Sequence, residues 1–422
     1  MENKKSYVLP IAVMFLLFFS IAFVTNFAGS MGVIVKNQFN SSNALAQLGT
    51  LANFIAYACM GIPAGLVLKR KGYKFTSLLA VTVGFVGVGI QFLSGAVQSF
   101  GVYVCGALVA GFAMCLLNIV VNPMLNTLGG GGNKGNQLIQ WGGTINSIGG
   151  TLAPILLGYL IGGEVAKAQV SDAAPAMVIV MGIFVVAFFV ILFTRIPEPH
   201  METAEERAAR KSGQVGKERY SPLSFRHFVL GAVAIFFYVG VEVGTPNTAN
   251  LYLTDANGIN AGAEVAGWFV AAYWFLMMCG RFLGGVVGRR VSSRTMLTVA
   301  SIVAICFILC FILVPESVSF TFRGVQLPVK IVFISLTGLC TSVMWGAVFN
   351  LSTEGLGKYT PMASGIFMTL VCGGGIIPFL QNLLADHVGY VYSYIIVVLG
   401  FGYILAYALW GSRNVNKDIP VE

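Results

Sequence analysis

Of the 16 carboxylates in this 422-residue chain, Glu242 alone falls near the centre of a long apolar stretch. A carboxylate held in hydrocarbon is expensive, so it is kept where it exchanges a proton, ligates a sodium ion or accepts hydrogen bonds from a bound solute. An ion pair with Arg281, on the following stretch, is the structural alternative. Uncharged polar side chains accompany it at helical spacing. Asn118, Asn122 and Asn126 recur every four residues, which lines three amides along one slowly drifting stripe. Gln140 and Thr144 form a second stripe with Gln137, Ser147 and Thr151, and Asn146 occupies an adjoining face. Asn53 shares a face with Thr50 and Tyr57, and Asn26 with Ser30. Such amides bond either to neighbouring helices or to a polar solute. Trp274 and Trp345, also mid-stretch, offer aromatic faces for stacking or packing.

The elements that must position these groups are membrane spans. Hydrophobic residues make up 57% of the chain and charged ones 10%, which excludes a water-soluble globular domain. A spanning helix takes about 20 mostly apolar residues. Twelve such stretches run from near Leu9 to Val35, Ala44 to Leu68, Phe75 to Leu93, Gly101 to Leu128, Leu138 to Ile161, Met177 to Phe193, Phe228 to Leu253, Val265 to Val287, Leu297 to Val314, Val332 to Leu351, Met362 to Leu384 and Val391 to Leu409.

Lys and Arg crowd into every second gap. Those gaps and both termini hold 20 of the 25 cations, with seven between Arg195 and Arg226, while Arg281 is the one cation inside a span. Basic flanks resist translocation, so both termini are expected in the cytoplasm of a multi-pass bacterial inner-membrane protein. Topology thus accounts for the net charge of +9, and no nucleic-acid partner is expected. Nor is an enzyme: His200, His227 and His387 fall at loops or helix ends, the eight cysteines are scattered through the spans, and no metal or cofactor site emerges. The loop Gly129 to Gly135 lacks the strand and the Gly-Lys-Ser/Thr terminus of a nucleotide cradle, and reads as a flexible turn.

At Pro197 the apolar pattern collapses into a charged segment, which divides the chain into residues 1–196, a cytoplasmic linker at 197–225, and residues 226–422. The two halves echo each other. Gly61-Ile-Pro-Ala-Gly65 before Lys69, Arg70 and Lys71 is matched by Gly280-Arg-Phe-Leu-Gly284 before Arg289 and Arg290, and Gly149-Gly150-Thr-Leu-Ala-Pro154 by Gly373-Gly374-Gly-Ile-Ile-Pro378. A duplicated pair of six-helix bundles is the architecture of the major facilitator superfamily, with the solute site at the midplane between the halves. The expected fold is therefore all-α, with 12 transmembrane helices in two pseudo-symmetric bundles.

Within that architecture the chain resembles the fucose/galactose/glucose proton symporters. The likeness rests on Ile62-Pro-Ala-Gly65 with Lys69-Arg70-Lys71-Gly-Tyr-Lys74, on Asn122-Pro123 and Asn146-Ser-Ile-Gly149, and on Tyr238-Val-Gly240, Gly280-Arg281-Phe, Gly355-Leu-Gly357 and Ser364-Gly-Ile-Phe-Met-Thr369. Lys69 stands where the general superfamily signature has Asp, a departure shared with this family. The resemblance implies uptake of a monosaccharide, whether hexose, deoxyhexose or N-acetylated sugar, by alternating access, coupled to H+ or Na+, in a monomer surrounded by lipid. A sugar stripped of water needs amides, hydroxyls or carboxylates and an aromatic face. Asn26, Asn53, Asn118, Asn122, Gln140, Thr144, Asn146, Glu242, Trp274 and Trp345 are the candidate contacts, Glu242 the candidate coupling group, and Lys69, Arg70, Arg281 and Arg289 the candidate cytoplasmic gate. The acids that proton-coupled members carry in the first and fourth spans align with Gly29 and Asn118, which hold no exchangeable proton. Uncoupled facilitation and efflux antiport by the same fold are the competing readings.

Overall fold

The computed structural model describes residues 7–38, 48–160, 169–199, 201–203, 205, 207, 220–255, 258–416 and 418–421. Among these, helices occupy all twelve expected spans. They are α1 (Val8–Gln38), α2 (Leu48–Val97), α3 (Phe100–Leu128), α4 (Gly132–Leu160), α5 (Ala174–Phe193), α6 (Arg226–Thr254), α7 (Ala263–Val287) and α8 (Ser293–Leu313). After a hairpin, β1 (Ser319–Phe322) and β2 (Val325–Pro328), come α9 (Ile331–Thr341), α10 (Met344–Thr353), α11 (Thr360–Thr369), α12 (Gly373–Val388), α13 (Tyr390–Ser393) and α14 (Ile395–Ala406). Ten segments of the described residues are long and apolar enough to cross a membrane. One of them is α2, which carries the second and third spans; α4, its apolarity diluted by the amide and hydroxyl stripe, is the remaining one.

Gly72 divides α2 into two limbs, because its φ of 82° and ψ of 178° are open to glycine and interrupt the helix. The second limb begins at Tyr73 with no cap of its own sequence. Glu198, just past α5, supplies one: its carboxylate accepts the backbone N–H groups of Tyr73 and of Lys74, the latter at 2.9 Å. In the other half the equivalent helix caps itself, with Ser292 Oγ accepting the Thr295 N–H at 3.1 Å. The segment expected to form an amphipathic linker lies largely outside the described residues, but its start is tied down, with Glu202 N–H donating to Lys69 O at 2.9 Å.

The halves meet along two related seams. In one, α2 lies against α11 so closely that a Cβ on Gly65 would meet Pro361 O at 2.8 Å and Gly365 Cα at 3.1 Å. In the other, α7 packs on α4, where Gln137 Nε2 donates to Gly285 O at 2.9 Å and Gln140 Nε2 to Val343 O at 2.9 Å. Gly61 and Gly65 of the first pair and Gly284 of the second therefore face the opposite half, as small residues four apart permit, whereas Gly280 packs on Leu339 and Ser342 of its own half. Both seams run toward the basic turns.

Far from those turns, the hairpin closes on a two-residue turn, Arg323-Gly324, with φ of 50° and 81°, the mirror-image geometry that matches strand twist. Beside it Lys330 is almost fully buried, 2.8 Å from Glu316 and over the Tyr252 and Phe311 rings at 5.8 and 5.6 Å. Lys330 and the Tyr252 hydroxyl hold the Glu316 carboxyl below its usual range.

Burial pushes the Glu198 carboxyl above the usual carboxylate range, partly offset by the two backbone donors and by Lys74. Replacing a capping side chain by Ala costs about 1 kcal/mol, and Glu198→Ala is expected to lower thermal stability by that order in detergent. A raised folded value means that the carboxyl's contribution is complete below the unfolded carboxylate range and declines as pH rises through the raised value. The advantage of wild type over Glu198→Gln should therefore shrink with rising pH in unfolding scans; an advantage that grows would contradict the cap as described.

Candidate functional site

Between the halves lies a cavity of about 680 Å³. Its wall carries Asn26 from α1, Asn53 and Tyr57 from α2, Asn118 from α3, and Gln140, Asn146, Ser147 and Thr151 from α4. The second half contributes Glu242 from α6, Trp274 and Arg281 from α7, and Ser342 and Trp345 from the α9–α10 segment. Eight of the ten residues expected to contact a solute are thus brought together. The seams described above form its floor at the basic end. Along α4 the wall climbs from Gln140 to Ile155, so the cavity extends toward the side away from the floor, its open side.

Asn122 and Thr144 depart from expectation and are corrected here: neither lines the cavity. The Thr144 hydroxyl is spent on its own helix, donating to Gln140 O at 3.1 Å. Asn122 is fully buried; its Nδ2 donates to Asn118 O at 2.9 Å and its Oδ1 accepts the indole N–H of Trp345, across the two halves, at 3.0 Å. Asn118 keeps its place on the wall with Nδ2 donating to the Tyr57 hydroxyl at 2.7 Å. Asn146, though on the wall, donates to Phe18 O at 2.8 Å and so also ties α4 to α1.

Arg281 is the larger departure. Expected at a cytoplasmic gate beside Lys69, Arg70 and Arg289, it reaches into the cavity instead, while those three stay near the basic turns. Its Nη2 lies 3.2 Å from Glu242 Oε1, and both side chains are mostly buried. Its Nη1 donates to Ser147 Oγ of the other half at 2.8 Å, and its stem lies against Gly143, where a Cβ would meet Arg281 Cδ at 3.2 Å. A long guanidinium side chain travels several ångströms from its backbone, so its position along the helix understates its reach.

Glu242 is held from three sides. Its Oε1 also accepts the Tyr238 hydroxyl, one helical turn back, at 2.7 Å. Its backbone carbonyl has no helical donor because Pro246, four residues on, has no N–H; the Tyr273 hydroxyl of α7 donates to it at 3.1 Å. The assembled site offers amides and hydroxyls to a polyhydroxylated solute, two indoles to its apolar face, and an internally neutralised charge pair.

Tyr57, Ser147, Thr151, Arg281 and Ser342, among the wall residues named above, are missing from the sequence-based set of contacts. Tyr57 and Ser147 stand in stripes visible in the sequence, whereas nothing in the spacing gives the direction of the Arg281 side chain. Thr50 and Ser30, the partners of Asn53 and Asn26 in those stripes, have side chains outside the described residues.

Known proteins share this fold. The sequence profile described as Major Facilitator Superfamily matches residues 13–379. A glucose/galactose transporter of Brucella abortus (strain 2308) is 28% identical over 98% of the chain and 96% of its own length, and the L-fucose-proton symporter of Escherichia coli K12 is 22% identical over 98% and 96%. Among solved structures, the transporter FucP in its outward conformation superposes with a TM-score of 0.81 at 19% identity, covering 97% of this chain and all of that one. The proton:xylose symporter XylE gives 0.70 at 14% identity, covering 95% and 94%.

The cross-half bond between Trp345 and Asn122 is testable by itself. Removing one such buried bond costs about 1–3 kcal/mol, because its partner is left unpaired. Trp345→Phe and Asn122→Ala should each destabilise by that order in thermal unfolding, and the double variant by clearly less than their sum; simple additivity would show that the two side chains do not act on each other.

Proposed function

Because the chain belongs to the major facilitator superfamily, we propose that it takes up a monosaccharide across the bacterial inner membrane by alternating access, driven by a cation. The carrying observation is the cavity between the halves, whose wall joins Asn26, Asn53, Asn118, Gln140 and Asn146 to Trp274 and Trp345. Amides suit sugar hydroxyls and indole faces suit the ring's C–H surface. A pocket built for apolar drugs would instead be dominated by aromatic and acidic side chains, which disfavours the efflux reading. The curated relatives named for glucose/galactose and L-fucose transport support the same solute class.

In this reading residues 1–196 and 226–422 are the two rocking bundles, the 197–225 linker and both termini are cytoplasmic, and the protein works as a monomer. Sugar enters through the open side, and binding draws the halves together there while the seams at the basic end part. Glu242 is the coupling group: it is the mid-span carboxylate, and Gly29 and Asn118 supply no alternative. The E. coli relative's name as a proton symporter favours H+ over Na+.

A thermal-shift panel of neutral hexoses, deoxyhexoses and N-acetylated sugars against purified protein, with and without sodium at two pH values, tests the proposal. A true substrate at a hundred times its Kd should stabilise by about 2.7 kcal/mol, and Asn118→Ala or Trp274→Ala should remove most of that. No stabilisation by any sugar, or stabilisation untouched by both substitutions, would reject the site. Sodium dependence at constant pH would assign Na+ as the driver in place of H+.

A further inference from the structure

We propose that Arg281 is the residue that transmits the charge on Glu242 to the opposite half of the protein, so that the pair works as an interlock on the basic-end seam. The inference rests on the reading of Glu242 as the coupling group and adds what that group acts upon.

The geometry is directional. Arg281 and Glu242 belong to the same half, on α7 and α6, with Nη2 and Oε1 3.2 Å apart. The other guanidinium nitrogen crosses to α4, donating to Ser147 Oγ at 2.8 Å and lying 3.5 Å from Gly143 O. One planar group therefore holds the carboxylate with one nitrogen and the opposite bundle with the other. The fixed fork of the guanidinium makes the two contacts interdependent, since turning it to keep one misdirects the other. Gly143 leaves room for the stem. The crossing sits directly above the Gln140–Val343 and Gln137–Gly285 bonds, which close the same seam.

Ionised Glu242 fixes the fork in this orientation and the pair is neutral. A proton arriving from the open side forms an O–H bond on the carboxylate, Arg281 stays protonated, and the pair gains one positive charge. An unpaired guanidinium in a place of low dielectric is unstable. Its escape is to swing away from Glu242, and the Ser147 contact goes with it, freeing α7 from α4. Loss of the proton to the other side restores the pair and the lock. Few other charges interfere. The titratable groups facing Glu242 are Tyr238 on its own helix, Tyr273 on α7, and Cys340 of α9 beside Tyr273, while the facing groups of α4 and α10 among the described residues are the neutral Ser147, Gly143 and Trp345. Sugar binding and interlock are separable, because the amides of α1 to α3 do not touch Arg281 among the described contacts.

The experiment measures the opening of the basic end without sugar. Spin labels are placed through encoded non-cysteine residues at Lys134 and Arg290, one in each half and both exposed, in full-length protein in lipid nanodiscs, and their distance distribution is followed from alkaline to acid pH. In wild type the long-distance population should rise as pH falls. Glu242→Gln should show it at every pH. Ser147→Ala, which keeps the ion pair, should move the midpoint to higher pH, and Arg281→Gln should abolish the pH dependence. A wild-type distribution that ignores pH, a pH dependence that survives in Glu242→Gln, or a Ser147→Ala midpoint equal to wild type would each overturn the interlock. Circular dichroism of each variant checks that it is folded. A failure here with sugar stabilisation intact would reject the interlock alone, whereas absence of sugar stabilisation with pH-dependent opening intact would reject the sugar reading alone.

Discussion

A carboxylate and a guanidinium facing each other inside a bilayer constrain everything around them. Two charges removed from water are tolerated only when their attraction is close to ideal and their remaining donors and acceptors are occupied. Here Tyr238 takes part of the carboxylate, Ser147 and Gly143 receive the second guanidinium nitrogen, and Gly143 yields the space for the stem. Those partners come from α4 and α6, one helix in each half, so the pair is satisfied only when the two halves are in register at the basic end. Gly61 and Gly65 make that register possible by letting α2 and α11 approach nearly to backbone contact, while Gly284 of α7 leaves room for the Gln140 side chain.

The halves repeat in sequence, but they are not equivalent in what stabilises them. The helix after the second-half basic turn is capped by Ser292, five residues beyond Val287, whereas its first-half counterpart depends on Glu198, which arrives from the far end of its bundle. The first half thereby ties its basic turn to the outset of the linker. Away from the basic end the second half has its own brace, the hairpin and the buried Lys330, with no counterpart in the first half among the described residues.

Much of this was legible in the chain. Apolar length and the alternation of basic gaps revealed all twelve spans, since hydrocarbon thickness and the cost of moving cations leave few other solutions. Helical spacing identified most of the wall, because Asn118, Gln140 and Asn53 can face inward only together with their neighbours one turn away. Periodicity gives the face of a helix but not its depth, and so Asn122 and Thr144, on the expected faces, were spent on internal bonds. The reach of Arg281 was hidden for another reason: its Cα lies toward the basic end, and a long flexible stem separates that position from its charge. The hairpin is hidden differently: Phe-Thr-Phe-Arg-Gly-Val-Gln-Leu alternates and turns on Arg-Gly, but so short a signal between two spans reads as loop.

The hydroxyl that Tyr273 lends to the Glu242 carbonyl has a mechanical side. Where Pro246 withholds an amide, an α-helix would ordinarily bend by whatever amount its surroundings allow. With a phenol from α7 filling the vacancy, the bend available to α6 at this point is set in part by its neighbour. The two helices that carry the charged pair are thereby fastened to each other at Glu242 by a second bond, independent of the attraction between the charges.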